Sequence, residues 1–344
     1  MNFKISKYCG FTLLELLIVL FIIGTLAAAS LSFIEQDDGQ QRYTGSIQRL
    51  NLIADGLVKV KDHGHNSQLI SGFVFDNGTL PPIPSSGSDS IQPLIALNNS
   101  WSNHVANPYS ASWSSFDSYV PKYIKTDGTV MPLAQHAQFK GYRGSYLPSS
   151  ALDSDRQFRD LWNMPYILDA PSDQSFRYTL GNVLTDATTK KFESFNASVT
   201  QETSMAQWSV ALGQLAFTVI NDSGAIVTTG KKVSLIVFDN SSALPWQTYH
   251  FELGELAIDE TQIHGFGATT APTWHHNAYA VASSAIISNE LTSIEVNSRR
   301  IPIGSHLVVV IDEGAGAGIY PVVANMQVLL MPSSSVPIIT LKIG

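Results

Sequence analysis

The stretch Gly10-Phe11-Thr12-Leu13-Leu14-Glu15 opens an apolar run that continues to Ile34. From Phe11 onward the run contains 24 residues, and Glu15 is its single charged residue. A helix that rises about 1.5 Å per residue is therefore long enough to cross a hydrocarbon core of about 30 Å. A carboxylate at that depth costs about 2.5 to 3.5 kcal/mol on insertion scales, so we expect Glu15 to be functional and to have a partner.

The residues before the run predict how the chain lies in a membrane. Residues 1–10 contain Lys4 and Lys7 and no acidic residue. Basic residues next to a spanning segment stay on the cytoplasmic side, so the rest of the chain is expected on the other side. The sequence therefore predicts a single-pass inner-membrane protein with its C-terminal bulk in the periplasm.

The residues around Gly10 resemble the signal of the type IV pilin and pseudopilin family. In that family, prepilin peptidase cuts after the glycine, N-methylates the new first residue and leaves a glutamate fifth in the mature chain. The resemblance implies cleavage after Gly10, methylation of Phe11, and contact of Glu15 with the amino group of Phe11 in a neighbouring subunit. Such an ion pair offsets the burial of the carboxylate and sets the axial register of a filament.

Two simpler interpretations of the N-terminus remain open. Ala27-Ala28-Ala29 before Ser30 fits the cleavage site of an ordinary secretory signal, although Glu15 argues against that interpretation. The segment could also be a plain membrane anchor. Cys9 suggests a lipoprotein, but Ser6-Lys7-Tyr8 before it is not the apolar stretch that a lipidation signal requires.

Composition favours a secreted, strand-rich protein over a cytosolic enzyme. The 344 residues carry a formal charge of −8, and removal of Lys4 and Lys7 with the leader makes it −10. This balance offers no basic stripe to a nucleic acid. Cys9 is the single cysteine and lies in the leader, so we expect no disulfide in the mature chain. Only 14% of the residues are charged, which agrees with a surface rich in uncharged polar side chains.

Apolar residues at three- and four-residue spacing extend the first helix beyond the membrane segment. Ile47, Leu50, Ala54 and Leu57 follow this spacing, which predicts one helix over residues 11–61. Glycine weakens a helix by up to about 1 kcal/mol relative to alanine. Local weak points, where the helix could bend during assembly, are therefore expected at Gly24, Gly39, Gly45 and Gly56.

Several later segments resemble the head of major pseudopilins. Asn77-Gly78 predicts a tight turn, and Pro81 blocks a following helix. Residues 141–147 (GYRGSYL), 160–166 (DLWNMPY) and 176–181 (FRYTLG) resemble the loop and first strands of that head. The resemblance covers about residues 1–186. The chain departs from the family pattern at Ser145, Leu161 and Asn163.

Three further segments complete the predicted head. Residues 94–97 resemble its short second helix, and the aromatic-rich residues 98–138 are expected to be an insertion with its own packing. Major pseudopilins bind calcium through a later loop. Residues 182–186 offer only Asp186, whereas calcium takes six to eight oxygens, so no calcium site is predicted.

The C-terminal part has the pattern of an all-β domain. Short β runs separated by turn residues predict a β-sandwich, for which an immunoglobulin-like topology is one option. The predicted fold class is thus α+β, with an antiparallel-sheet head and a C-terminal sandwich. The predicted strands cover residues 215–220, 233–238, 249–253, 279–287, 306–311, 322–330 and 338–343. The predicted units are the leader 1–10, the helix 11–61 with residues 11–34 in the membrane, the head 62–187, a linker 188–207 and the β-domain 208–344.

Known catalytic and cofactor motifs fail on spacing or context. Residues 224–232 miss the phosphate-loop spacing, and residues 314–318 precede Pro321 instead of a helix. The pairs His63/His65 and His275/His276 have no third ligand nearby, whereas zinc takes three or four. We therefore expect neither enzyme activity nor a cofactor or metal.

The sequence favours a filament subunit of a type II secretion pseudopilus or a type IV pilus, the first more than the second. Its expected partners are prepilin peptidase, other pilin or pseudopilin subunits and an assembly platform protein. The alternative is an adhesin or substrate-recognition module that binds a surface ligand or a secreted substrate. Its candidate contacts are Trp246, Trp274 and His275 in the β-domain.

Overall fold

The computed structural model describes most of the chain in segments. They are residues 13–62, 68–81, 91–95, 120–127, 129–138, 140–142, 145–155, 157–169, 176–179, 200–239, 246–265, 271–280, 285–314, 322–332 and 338–344. Within these residues a long apolar N-terminal helix is combined with mostly antiparallel sheets. This agrees with the predicted α+β class.

The first helix, α1, covers Leu13–Leu57 and is 45 residues long. It ends before Lys61, where the sequence predicted its end, because the next residues form strand β1 (Lys59–Asp62), which pairs antiparallel with β2 (Gln68–Ser71). Two β-branched residues, Val58 and Val60, favour extended backbone at this point.

The C-terminal half of α1 forms one wall of the head. Leu50, Ile53 and Leu57 are fully buried in a cluster with the rings of Tyr166 and Tyr178. The same cluster also contains Phe73, Ile91, Leu94, Ile95, Tyr142, Leu147, Ala151 and Phe158. The apolar spacing that predicted the helix therefore also marks its core-facing side.

Two of the glycines that the sequence suggested as weak points have a packing role. A Cβ on Gly45 would overlap the side chain of Leu161, and one on Gly56 would lie 3.2 Å from the carbonyl oxygen of Tyr146. Their missing side chains let the loops of the head approach the helix backbone.

Short helices and strands complete the head. Helices α2 (Phe73–Asn77) and α3 (Gln92–Ile95) are followed by the hairpin β3 (Lys122–Ile124) and β4 (Val130–Pro132). Strands β5 (Ile167–Asp169), β6 (Phe176–Thr179) and β7 (Thr200–Thr203) form an antiparallel sheet in that order. The predicted strand at residues 176–181 is thus present as β6. Strand β7, which lies in the predicted linker 188–207, pairs with it.

Gly78 ends α2 in the left-handed conformation, with φ 67°. Its N–H donates to the carbonyl oxygen of Val74 at 2.7 Å, which closes the turn predicted from Asn77-Gly78. A Cβ on Gly78 would overlap the carbonyl oxygen of Phe238 in the C-terminal part of the chain. The turn is therefore also a point of close contact between the head and the C-terminal sheet.

The C-terminal part contains two main sheets. One has six antiparallel strands, and the other joins β12 antiparallel and β18 parallel to a central β9. The elements are α4 (Met205–Trp208), β8 (Ser209–Ala211), β9 (Ala216–Asn221), β10 (Lys231–Phe238), β11 (Trp246–Glu252), β12 (Thr261–Gly265), β13 (His275–Ala280), β14 (Ala285–Glu290), α5 (Ser293–Ser298), β15 (Arg300–Pro302), β16 (Gly304–Asp312), β17 (Val322–Leu330) and β18 (Ile338–Ile343). The order in the larger sheet is β14-β13-β11-β10-β16-β17, and β15 pairs with β8.

Both sheets contribute side chains to one hydrophobic core. Phe217 and Ile339 from the smaller sheet share it with Leu235, Phe251 and Val308 from the larger one. The all-β pattern of this part agrees with the sequence. The sandwich and the immunoglobulin-like topology remain predictions, as do the domain boundaries.

Two sequence predictions in this part are wrong. Instead of one strand over residues 279–287, residues 279–280 end β13 and residues 285–287 begin β14, and Ala280 pairs with Ala285. Helix α5 was missed, although Thr292 and Glu295 form a reciprocal capping box that a Thr-x-x-Glu pattern signals.

The predicted insertion at residues 98–138 does not pack on its own in its described part. Tyr123 and Leu133 are buried in a cluster with Ile236, Phe238 and Trp246 of the larger sheet. Two side chains of the sheet bind the backbone of Ile124. Its N–H donates to Thr248 Oγ1 at 3.2 Å, and its carbonyl oxygen accepts from Asn277 Nδ2 at 2.9 Å. Hairpin β3–β4 therefore covers the sheet face opposite the core.

Replacing Gly78 with alanine should destabilise the protein more than the same change at Gly224. Both glycines are left-handed, with φ 67° and 72°, but a Cβ at Gly224 meets nothing within 4 Å. G224A should therefore cost about 1 to 2 kcal/mol from backbone strain alone, whereas G78A adds the overlap with Phe238. The shift of the urea midpoint, followed by tryptophan fluorescence, measures both. Equal shifts would contradict the close contact at Gly78.

Candidate functional site

The N-terminal part of α1 is apolar on all sides. Its segment Leu13–Leu31 has a mean hydropathy of 2.4 and is 0% buried, and it is the one helix in the described part of the chain long and apolar enough to cross a membrane. Leu13 is 83% exposed and Phe21 68%. A helix that is hydrophobic all round requires lipid or other protein around it.

Glu15 lies in the first turn of α1 and is the single charged residue between Leu13 and Leu31. The N-terminal end of a helix carries partial positive charge, which favours a carboxylate there. Gly10 and Phe11 lie outside the described residues. The cleavage, methylation and assembly roles of Gly10, Phe11 and Glu15 therefore remain predictions.

Hydrogen bonds fix the head against the middle of α1. Ser46 is fully buried; its carbonyl oxygen accepts from Tyr166 Oη at 3.1 Å, and its hydroxyl oxygen accepts from the N–H of Leu161 at 3.0 Å. Arg49 donates to the carbonyl oxygen of Arg159, and its guanidinium lies 5.8 Å from the centre of the Phe158 ring. The exposed apolar segment thus extends from a firmly anchored helix.

The loop that contacts Ser46 is ordered by Asp160, which is 3% exposed. Its Oδ1 accepts from the N–H groups of Trp162 and Met164, at 2.9 and 2.8 Å. Burial raises the pKa of Asp160, while these hydrogen bonds and Arg49 oppose the rise. Asn163 in this loop has φ 67°. Asparagine tolerates this left-handed region better than most residues, so it can form the turn.

The aromatic contacts proposed for an adhesive surface are not available as such. Trp246 and Trp274 are each 2% exposed. Trp246 packs against Phe238, and Trp274 packs edge to face with Phe217 and Phe251. Both tryptophans are part of the hydrophobic cores and expose little ring surface, and the role of Trp246, Trp274 and His275 as ligand contacts stays a prediction.

Two of the histidines that were considered and rejected as metal ligands, His275 and His276, belong to stacked pairs. His275 stacks on His250 with ring centres 5.2 Å apart, and His276 stacks on Tyr249 at 4.6 Å. Neighbouring residues in a strand face opposite sides of the sheet, which separates His275 from His276. Among the described residues no group of three or more His, Cys, Asp or Glu could hold a metal ion. His63 and His65, and residues 182–186, lie outside the described residues.

Sequence reasoning missed a buried polar cluster under hairpin β3–β4. Glu313 accepts hydrogen bonds from Lys232 Nζ at 2.8 Å, Tyr123 Oη at 2.6 Å and Thr126 Oγ1 at 2.7 Å. Burial opposes ionisation of Glu313, but these donors outweigh it and lower its pKa to about 2. No local signal could reveal the cluster, because Tyr123 and Glu313 are separated by 190 residues.

The comparisons with known proteins agree with the N-terminal geometry. A family model described as the prokaryotic N-terminal methylation motif matches residues 5–31. Together with the apolar helix, this match is consistent with a type IV pilin or pseudopilin signal at the N-terminus. The motif implies processing by prepilin peptidase and assembly with other pilin subunits. No curated protein and no solved structure matches the chain.

Two histidines in the C-terminal part are buried in their neutral form. His250 and His306 are each 1% exposed. Burial lowers both pKa values to about 3, helped by Lys232 and the stacked His275 beside His250, and by Lys140 beside His306. His306 Nε2 lies 2.7 Å from the carbonyl oxygen of Pro302, so this nitrogen carries the proton.

These histidines should make the protein less stable as the pH falls below about 6.5. The unfolded state, with an ordinary histidine pKa of about 6.5, binds protons that the folded state excludes until about pH 3. Each histidine should lower the free energy of unfolding by about 2 kcal/mol between pH 7 and pH 5. Urea midpoints at the two pH values measure the loss. H306Q should reduce the loss by about 2 kcal/mol, the share of this histidine, and a pH profile that H306Q leaves unchanged would contradict the assignment.

Proposed function

We propose that this protein is a structural subunit of a type II secretion pseudopilus or a type IV pilus. The observation that carries the proposal is the segment Leu13–Leu31, which is fully exposed in the isolated subunit and contains Glu15 as its single charge. Prepilin peptidase cleaves after Gly10 and methylates Phe11. The segment holds the subunit in the inner membrane until the assembly platform transfers it into the filament.

The transfer exchanges one apolar environment for another. Lipid tails and the packed helices of a filament are similarly apolar, so hydrophobic burial contributes little to the choice between them. A charge pair distinguishes the two environments, because an isolated carboxylate is costly in hydrocarbon. The pair between Glu15 and the amino group of Phe11 in a neighbouring subunit therefore selects the filament and fixes its register.

The pseudopilus is favoured over the pilus by the head sequences at residues 141–147 and 160–166, which resemble major pseudopilins. In this proposal the C-terminal bulk lies in the periplasm and the chain is neither an enzyme nor a nucleic-acid-binding protein. Its C-terminal part is a two-sheet sandwich, supported by the core that both sheets share. An adhesin or substrate-recognition role remains the second function, and the burial of Trp246 and Trp274 leaves little of either ring for such a site.

The mature protein should begin at N-methylated Phe11. Intact mass and N-terminal peptide analysis of protein from membranes of the native host measure this directly. A chain that begins at Ser30 would identify a secretory signal instead, and an uncut Met1 would identify a plain anchor. Replacing Gly10 with valine should leave the leader attached, since the peptidase cuts after this residue.

Replacing Glu15 with glutamine or alanine should leave cleavage intact and reduce incorporation into filaments at least about tenfold, the effect of losing about 1.4 kcal/mol. Quantitative mass spectrometry of sheared filaments and of the cell envelope measures the distribution, with the major subunit as reference. L14A is the matched control, because it removes apolar volume one residue away and leaves the charge. Unchanged incorporation of E15Q would exclude the register role.

In the same measurement, the wild-type distribution distinguishes the two machines. Enrichment in sheared filaments, at a small fraction of the major subunit, identifies a minor pilin. Retention in the envelope identifies a periplasmic pseudopilus.

A further inference from the structure

A cavity of about 400 Å³ lies at one end of the C-terminal part. It is bordered by the segment before β13, by the end of β14 and by helix α5, with Gly213 and Gly265 in its wall. Binding pockets for small molecules commonly measure about 300 to 1,000 Å³. The cavity therefore suits a ligand of the size of a monosaccharide or disaccharide.

The polar side chains of the cavity are uncharged except for one carboxylate. Among the described residues, the lining contains Glu290, Thr273, Ser293 and Asn297, and no Lys, Arg or His. An anionic ligand would meet Glu290 without a compensating cation, which is unfavourable. Sugar hydroxyls donate and accept at the same time, so they can pair with a carboxylate, an amide and hydroxyl groups together.

The cavity lining also contains apolar residues. Leu291, Val296 and Trp274 are among them, and contacts with Phe217 and Phe251 hold the tryptophan ring in place. A pyranose ring presents C–H groups on its faces and hydroxyl groups at its rim. A lining that combines apolar and polar side chains suits that distribution.

The cavity is preformed by backbone contacts. The N–H of Leu291 donates to the carbonyl oxygen of Trp274 at 2.7 Å, which joins two of the walls. Helix α5 is fixed by its capping box, in which the N–H of Thr292 donates to Glu295 at 2.8 Å and the N–H of Glu295 donates to Thr292 at 3.2 Å. Rigid walls reduce the ordering cost of binding.

Gly213 leaves room for the amide of Asn297. A Cβ on this residue would overlap Asn297 Oδ1, so the absence of a side chain lets the Asn297 amide lie against the cavity wall.

We propose that this cavity binds a neutral carbohydrate, with Glu290 and Asn297 as its hydrogen-bonding residues. The proposal goes beyond the filament function and does not rest on it, because it depends on the C-terminal part alone. It supplies a ligand class for a recognition role in place of the buried tryptophan rings.

The test uses the full mature chain in a detergent without a sugar headgroup. Saturation-transfer NMR and titration calorimetry measure binding of methyl β-galactoside, methyl N-acetyl-β-glucosaminide and, as the anionic counterpart of galactose, methyl galacturonide. At least one neutral glycoside should bind saturably. If the galactoside binds, the galacturonide should bind at least about tenfold more weakly than the galactoside. The proposal would be overturned if no neutral probe, cellotetraose included, bound saturably at about 10 mM.

Variants assign any binding to the cavity. E290Q and N297A should each weaken it about tenfold, and G213A should weaken it by displacing the Asn297 amide. E255Q and N325A are the matched controls, since Glu255 and Asn325 are exposed and do not line the cavity. Thermal melting verifies that each variant is folded. Binding that E290Q and N297A leave unchanged in folded protein would overturn the assignment.

One further probe distinguishes two sources of the sugar. A terminal residue of a surface glycan and an internal unit of a free polysaccharide offer the same hydroxyl chemistry. Cellotetraose, compared with methyl β-glucoside, represents the second source. Several-fold tighter binding of the tetrasaccharide supports a polysaccharide chain, and equal or weaker binding supports a terminal sugar. In either case the E290Q variant must bind more weakly.

Discussion

An apolar surface that surrounds one half of a helix cannot remain in water. The surroundings of α1, and with them the position of the rest of the chain, depend on this constraint. Leu13–Leu31 has no polar side that could face solvent. In the proposed function, the segment passes from the membrane directly into an assembly of similar helices. Since both environments are apolar, the hydrophobic effect keeps the segment out of water without directing its transfer. In this proposal, direction and register depend on Glu15, because the free energy of a carboxylate differs strongly between hydrocarbon and a paired site.

The same helix changes its function along its length. After the apolar segment, Leu50, Ile53 and Leu57 face the core of the head, and Ser46 and Arg49 hold its loops by hydrogen bonds. A subunit drawn into a filament by its first turns is therefore moved as one piece with its head. The exposed segment and the anchored segment share one continuous backbone without a described break between Leu13 and Leu57.

Local patterns in the sequence were sufficient for the elements whose cause is local. Periodic apolar residues predicted α1, short β runs predicted β9, β10 and β16, and Asn77-Gly78 predicted the end of α2. Apart from helix α5 and the strand predicted at residues 279–287, the failures concern contacts between distant residues. Nothing near Trp246 in the sequence shows that hairpin β3–β4 will cover it, and nothing near Glu290 shows that Gly213 and α5 will complete a cavity around it. The roles of Gly45 and Gly78 likewise depend on Leu161 and Phe238, far along the chain.

The contacts between the head and the C-terminal sheet explain how a large second unit can be carried by one helix. Sheet side chains hold the N–H and the carbonyl oxygen of Ile124, and Gly78 lies directly on the backbone of Phe238. Buried hydrogen bonds of this kind are costly to break, because each broken pair leaves polar groups out of contact with water. A flexible tether between the units would let the second unit lag behind the first. With these contacts, force applied to α1 is transmitted through the head into the sheet, and the cavity beside α5 moves with the filament subunit that bears it.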